Sequence, residues 1–224
     1  YEVAVIPFMR YWKPFAKDVV TAIKAFGPEK IVLISLYPQY SITTTGSSYG
    51  EWDKNTKDLS IPVFKDEHYF DDELYIKAHV ENIKPYVESA KEHKEFLILF
   101  SAHSLPQKVI DEGDPYQKQI EITALKVMES FKGVDYKVCY QSKVGPVKWL
   151  EPSTEDEILK ASRNRKAIIV VPIAFVSEHS ETLVELDMDY KKLALESGAS
   201  CYLRVPALNC NELFIRCLKG RVEK

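Results

Sequence analysis

The chain has 224 residues, 46% of them hydrophobic, with 30 Lys and Arg against 33 Asp and Glu, a formal net charge of −3. That length suits one large domain or two small ones with their own cores. Mixed charges near balance exclude nucleic acid as a natural partner, and no apolar run approaches the roughly 18 residues of a bilayer-spanning helix.

The opening "YEVAVIPFMR" has no basic stretch followed by an apolar one, so it does not read as a signal peptide. It lacks an initiator Met and starts in strand-like sequence, as a fragment would. Strands are predicted at Val3 to Phe8, Ile31 to Leu36, Ile61 to Phe64, Phe96 to Ser101, Tyr136 to Gln141, Ala167 to Phe175 and Ser200 to Val205. Several are continuously apolar, as strands covered on both faces are. Helices are predicted between them at Pro14 to Ala25, Asp72 to His93, Pro115 to Phe131, Thr154 to Asn164, Glu181 to Ser197 and Asn209 to Lys219. The alternation predicts an α/β fold with parallel sheets. The hydroxyl- and Gly-rich "YPQYSITTTGSSYG", residues 37–50, reads either as a loop with a helix cap or as the polar wall or hinge of a cleft. Cys139, Cys201, Cys210 and Cys217 form no CxxC pair and read as buried free thiols rather than metal ligands or a disulfide framework.

Three stretches carry chemistry. In "FLILFSAHSLPQ" an apolar run stops and His103 follows, where loops at strand ends meet ligands; the plainer reading is a histidine that caps the strand. In "VPIAFVSEHSETLVELDMDY" another apolar run ends and Glu178, His179, Glu181, Glu185, Asp187 and Asp189 follow. Glu181, Glu185 and Asp189 are four apart, so one helix face would carry three carboxylates. Repulsion along that face is better explained by a task, such as guiding a cation or accepting protons. H-E-x-x-H is absent, which excludes a zinc-protease reading. Third, Trp149 follows a strand, among Gly145, Pro146 and Pro152; it reads as a half-buried anchor or as a platform for a flat apolar ligand.

Taken together, these stretches resemble ferrochelatase, the enzyme that inserts Fe²⁺ into a porphyrin at the end of haem synthesis. The resemblance is carried by "SAHSLP" (101–106), "GDPY" (113–116), "QSKVGP" (141–146) with Trp149 and Leu150, "PIAF" (172–175), "HSETL" (179–183) and "ELD" (185–187). Upstream, "MRY" (9–11), "YPQYS" (37–41) and "TTGSS" (44–48) also fit. It implies a chelatase fold of two Rossmann-like lobes with a porphyrin cleft between them. Residues 37–204 would form the second lobe, and residues 1–36 with 205–224 the remainder of the first.

By resemblance His103 lies against the porphyrin centre and Glu181 faces it, these two being catalytic, and Glu185 and Asp189 continue an acidic line away from them. The metal would meet His103, Glu181, Glu185 and Asp189. Arg10, Tyr11, Ser142, Trp149, Phe175 and His179 would contact the porphyrin. The resemblance starts after the family's opening segment and lip, so a piece of the enzyme is expected. Glu178 and Ser180 depart from the family's usual aspartate and aliphatic residue. Ile42 stands where animal forms carry a cysteine, and the cysteine-rich extension is lacking, so no iron–sulfur cluster and no other resident cofactor is expected.

The expected partners are porphyrin and ferrous iron, in the cytoplasm or at the periphery of the inner membrane, where a hydrophobic substrate could be collected; the oligomeric state is left open. Protoporphyrin IX is the favoured substrate. The alternatives are a coproporphyrin III ferrochelatase, a haem or porphyrin carrier without turnover, and a cobalt-loading chelatase, the last disfavoured by "HSETL" and "QSKVGP". Whether His103 or Glu181 takes the pyrrole protons is open at this point.

Overall fold

A computed structural model describes residues 2–223. It is α/β, with a two-stranded and a four-stranded sheet, both parallel. The chain divides into two compact units, Tyr1–His68 and Tyr69–Lys224. These do not coincide with the lobes expected above: residues 37–68 stay with the first sheet, and the last helix lies in the second unit.

In the first unit, β1 (Ile31–Ile34) pairs in parallel with β2 (Val63–Asp66). Helix α1 (Ala16–Phe26) buries Ala16, Val19 and Ile23, a spacing that places all three on one stripe. It ends at Gly27, whose φ of 65° lets its N–H close back on the Ile23 carbonyl. The expected strand at Val3 to Phe8 is not a strand. Apolar composition favours extension, but a strand needs a neighbour to bond with, and no ladder runs along this segment; Ile6 and Phe8 instead pack on the core of Leu33, Tyr49 and Trp52.

The hydroxyl-rich stretch also differs from a loop. A π-helical turn, Ile42–Gly46, is capped by Ser41, whose hydroxyl accepts from the Thr43 N–H, and runs into α2 (Ser47–Asn55). Burial of Tyr49 and Trp52 favours that helix despite weak local propensity.

The second unit has strand order β4–β3–β5–β6, made by Tyr136–Gln141, Phe96–His103, Ala167–Pro172 and Cys201–Arg204. Alternate residues of β3 separate two cores. Ile98, Phe100 and Ala102 pack with α3 (Glu73–Ala90) and α5 (Tyr116–Met128). Leu97 and Leu99 pack with α6 (Thr154–Arg163), a π-helix (Glu181–Tyr190) and α7 (Lys191–Glu196). A short helix α4 (Gln107–Asp111), unforeseen in the sequence, follows β3, and α8 (Glu212–Val222) packs on α3.

β3 runs past Ser101 to His103 because β4 keeps pairing with it, His103 opposite Gln141. β5 stops at Pro172, three residues earlier than expected, where the chain turns. From β3 the chain first adds β4 on one side and then β5 on the other. The carboxyl ends of β3 and β5 therefore form a topological switch point, where open α/β sheets hold ligands. Cys139 and Cys217 are buried free thiols as expected, but Cys201 is half-buried and Cys210 exposed. Among the described residues no helix is long and apolar enough to cross a membrane.

Candidate active site

His103 is the last residue of β3 and shares the odd-numbered face with Leu97, Leu99 and Ser101, so its side chain emerges on the π-helix side. The Tyr116 hydroxyl donates to its carbonyl at 3.0 Å and fixes the strand end. Its Nδ1 lies 2.6 Å from Glu181 Oε2, across 78 residues of sequence. An ionised carboxylate only accepts, so Nδ1 carries the proton and Nε2 keeps a free lone pair. Burial acts to raise the Glu181 carboxyl. The hydrogen bond from His103, the positive charge that His103 and His179 carry when protonated, and the Ser142 hydrogen bond outweigh it and hold that carboxyl below its ordinary value.

Glu181 opens the π-helix. The α-helix expected from Glu181 to Ser197 appears only from Lys191 onward; before it the bonding is i→i+5, a rare geometry that recurs at functional sites. Residues four and five apart share a face in this wider winding. Glu181 and Glu185 thus stay together, and Tyr190, five residues on, donates to Glu185 at 3.0 Å. Burial, then the Glu185 charge, pushes the Tyr190 phenol up, so it remains a donor.

Glu185 also accepts from the Ser142 N–H (2.9 Å), the Ser142 hydroxyl (2.5 Å) and the Gln141 amide (3.0 Å). Ser142 reaches both carboxylates, with Glu181 at 3.2 Å, from a left-handed backbone at φ 62°. A non-glycine residue in that region is strained, and such strain concentrates at working sites. Beneath it Gln141, 1% exposed, accepts from the Ser101 hydroxyl at 2.7 Å, while Thr154 at the start of α6 donates to Ser101 at 2.8 Å. One buried polar chain thus ties β3, β4 and α6 to the carboxylates.

Other expected residues fall as follows. The His179 ring meets Phe175 edge-on at 4.7 Å between centroids, and its Nε2 is 3.8 Å from Glu181. Asp189 is exposed and, with Glu155, Glu181 and Glu185, lines an acidic cleft of about 760 Å³. Trp149 is half-buried and bridges to Pro106 beside β3. Arg10 and Tyr11 belong to the other unit; there Arg10 donates to Ser47 at 2.9 Å and its guanidinium lies 4.8 Å from the centre of the exposed Tyr11 ring. Among the described residues no three His, Cys, Asp or Glu side chains are gathered to hold a metal ion. The roles of Thr154 and Tyr190 are not legible in the sequence; the only signal is a polar residue, Ser101 or Gln141, closing an apolar strand.

The family model Ferrochelatase matches residues 1–224. The chain belongs to the ferrochelatase family. It is 49% identical over 216 residues to a protein of Wolbachia sp. subsp. Brugia malayi named ferrochelatase, covering 95% of this chain and 63% of that one. The ferrochelatase of Aquifex aeolicus is 49% identical over 223 residues, covering 98% and 71%. That of Rickettsia prowazekii is 49% identical over 212 residues, covering 94% and 60%. The chain thus spans less than two thirds of the Wolbachia and Rickettsia relatives. Family membership agrees with the sequence resemblance, and the two parallel sheets agree with the expected α/β class.

Proposed function

We propose that this chain catalyses insertion of Fe²⁺ into protoporphyrin IX to give protohaem, as a metal chelatase. Insertion removes two pyrrole N–H protons for each Fe²⁺ bound, so the site needs a base that meets the ring and a route for cations and protons away from it. The observation that carries the reading is the His103–Glu181 pair at the sheet's switch point.

Its geometry supports one of the two assignments left open by the sequence. Nε2 of His103 accepts the pyrrole proton, and Glu181 holds the tautomer and stabilises the imidazolium. Glu185 and Asp189 lead outward through the acidic cleft, where a field of one sign concentrates cations. Imidazole and carboxylates bind Fe²⁺ weakly enough to release it to four pyrrole nitrogens.

Phe175, His179 and Trp149 are proposed to grip the macrocycle and Ser142 to hold the carboxylates in place; Arg10 and Tyr11 are proposed as porphyrin contacts by resemblance alone. Binding along the ring offsets the cost of distorting it so that the nitrogen lone pairs are exposed. Fe²⁺ is a substrate here, with no resident cluster, and the reaction is assigned to the cytoplasm, at a membrane periphery when porphyrin is collected. Among the alternatives a porphyrin carrier has no use for a histidine buttressed by a carboxylate.

The test is anaerobic metal insertion by His103→Ala and Glu181→Gln. His103→Ala should lose about 10²–10⁴-fold in kcat while still quenching porphyrin fluorescence on binding. Unchanged turnover in His103→Ala would refute the assignment.

A further inference from the structure

The π-helix is also held from a side that the reacting pair does not touch. β6 presents Tyr202 and Arg204, two residues apart and so on one face. The Tyr202 hydroxyl donates to the Leu186 carbonyl at 2.8 Å, inside the π-helix. The Arg204 guanidinium forks onto Asp187, at 2.8 and 2.5 Å, and its remaining nitrogen donates to Glu178 at 2.6 Å. Glu178 accepts in addition from the Ala207 N–H at 2.9 Å, and its own N–H donates to Asn209. The Arg204 side chain is only 10% exposed.

Glu178 and Asp187 flank Glu181, one before the π-helix and one within it. We infer that Arg204 is a positioning residue: by clamping both carboxylates it sets the winding and rotation of the π-helix, and so aims Glu181 at His103. This rests on the proposed function for its kinetic part only. An i→i+5 helix is intrinsically rarer than an α-helix and needs tertiary anchors to persist. A planar bidentate fork fixes direction as well as distance, which a lysine cannot reproduce. The unusual Glu178 is explained in the same way, since its carboxylate meets both Arg204 and the Ala207 amide.

A buried ion pair could serve stability alone, so the test separates the two. Arg204→Met, Arg204→Lys and Asp187→Asn are compared with Val127→Ala, a core variant on the opposite face of the sheet that lowers stability without touching the π-helix. The readouts are thermal midpoint, kcat and KM for porphyrin, and the downfield proton resonance of His103 Nδ1–H on Glu181.

Arg204→Met should lose at least about tenfold in kcat with KM within about twofold, and lose the resonance. Arg204→Lys should recover part of both, and Asp187→Asn should fall between. If the Arg204 and Asp187 variants lose stability but keep kcat and the resonance as Val127→Ala does, the inference is overturned. Should the wild type insert no metal, the proposed function fails, and the resonance alone still decides for or against Arg204. Should Arg204→Met not fold, the other two variants decide by the same comparison.

Discussion

His79 gives the sharpest pH prediction. It lies on α3, 3% exposed, its Nε2 without a hydrogen-bond partner and its ring edge-on to Tyr75 at 4.7 Å. Tyr75 in turn donates to the Ile173 carbonyl, where β5 gives way to the segment carrying Phe175 and His179. Burial pushes the imidazole down from 6.5 to about 4. Because the folded value lies below the unfolded one, the unfolded chain binds the extra proton between about pH 6.5 and pH 4. Stability is therefore intact at pH 8 and falls as pH falls through that window.

The linkage amounts to about 2 kcal/mol at pH 5 and about 3 kcal/mol at pH 4. In urea unfolding that is a loss of about 1 M in midpoint between pH 8 and pH 5 from this group alone. His79→Leu removes the titrating group and the orphaned nitrogen together. At pH 8 it should change stability by no more than about 1 kcal/mol, the worth of the ring contact. Below pH 6 it should be progressively more stable than wild type. Parallel pH profiles for the two proteins would refute the reasoning.

Gln141→Leu strips partners from Ser101, from Glu185 and from the Glu181 carbonyl, and should cost about 3 kcal/mol, or roughly 6–12 °C in thermal midpoint by calorimetry. Ser142→Ala and Ser142→Gly both lose the hydroxyl on Glu185, but glycine relieves the left-handed backbone; the glycine variant should be the more stable by about 1 kcal/mol in urea titration. Phe175→Ala should weaken porphyrin binding, read as fluorescence quenching, more than it lowers kcat, because the ring packs beside His179 and accepts no proton.

What the sequence disclosed follows from how each element is held. The apolar runs at 96–101 and 167–172 are legible because these central strands are buried on both faces, between the two cores, whereas 136–141 is an edge strand whose Tyr136 and Lys137 are exposed. Val3 to Phe8 has the same composition, yet composition cannot supply a neighbouring strand. α2 hides among hydroxyls and glycines because Tyr49 and Trp52, not local propensity, favour it. Carboxylates four apart pointed to one helix face, and that face is real, but its i→i+5 winding depends on Ser142, Tyr202 and Arg204, 16 to 43 residues away. The juxtaposition of His103 with Glu181 came from family resemblance, since periodicity relates no residues 78 apart.

The measurement that tests the account most directly is anaerobic incubation of the chain with Fe²⁺ and protoporphyrin IX, followed by absorbance. The account predicts that the free-porphyrin bands give way to those of protohaem, one per porphyrin consumed, at a rate that scales with the chain and falls at least about a hundredfold in His103→Ala. Porphyrin that binds and keeps its metal-free spectrum would contradict it and make the chain a carrier.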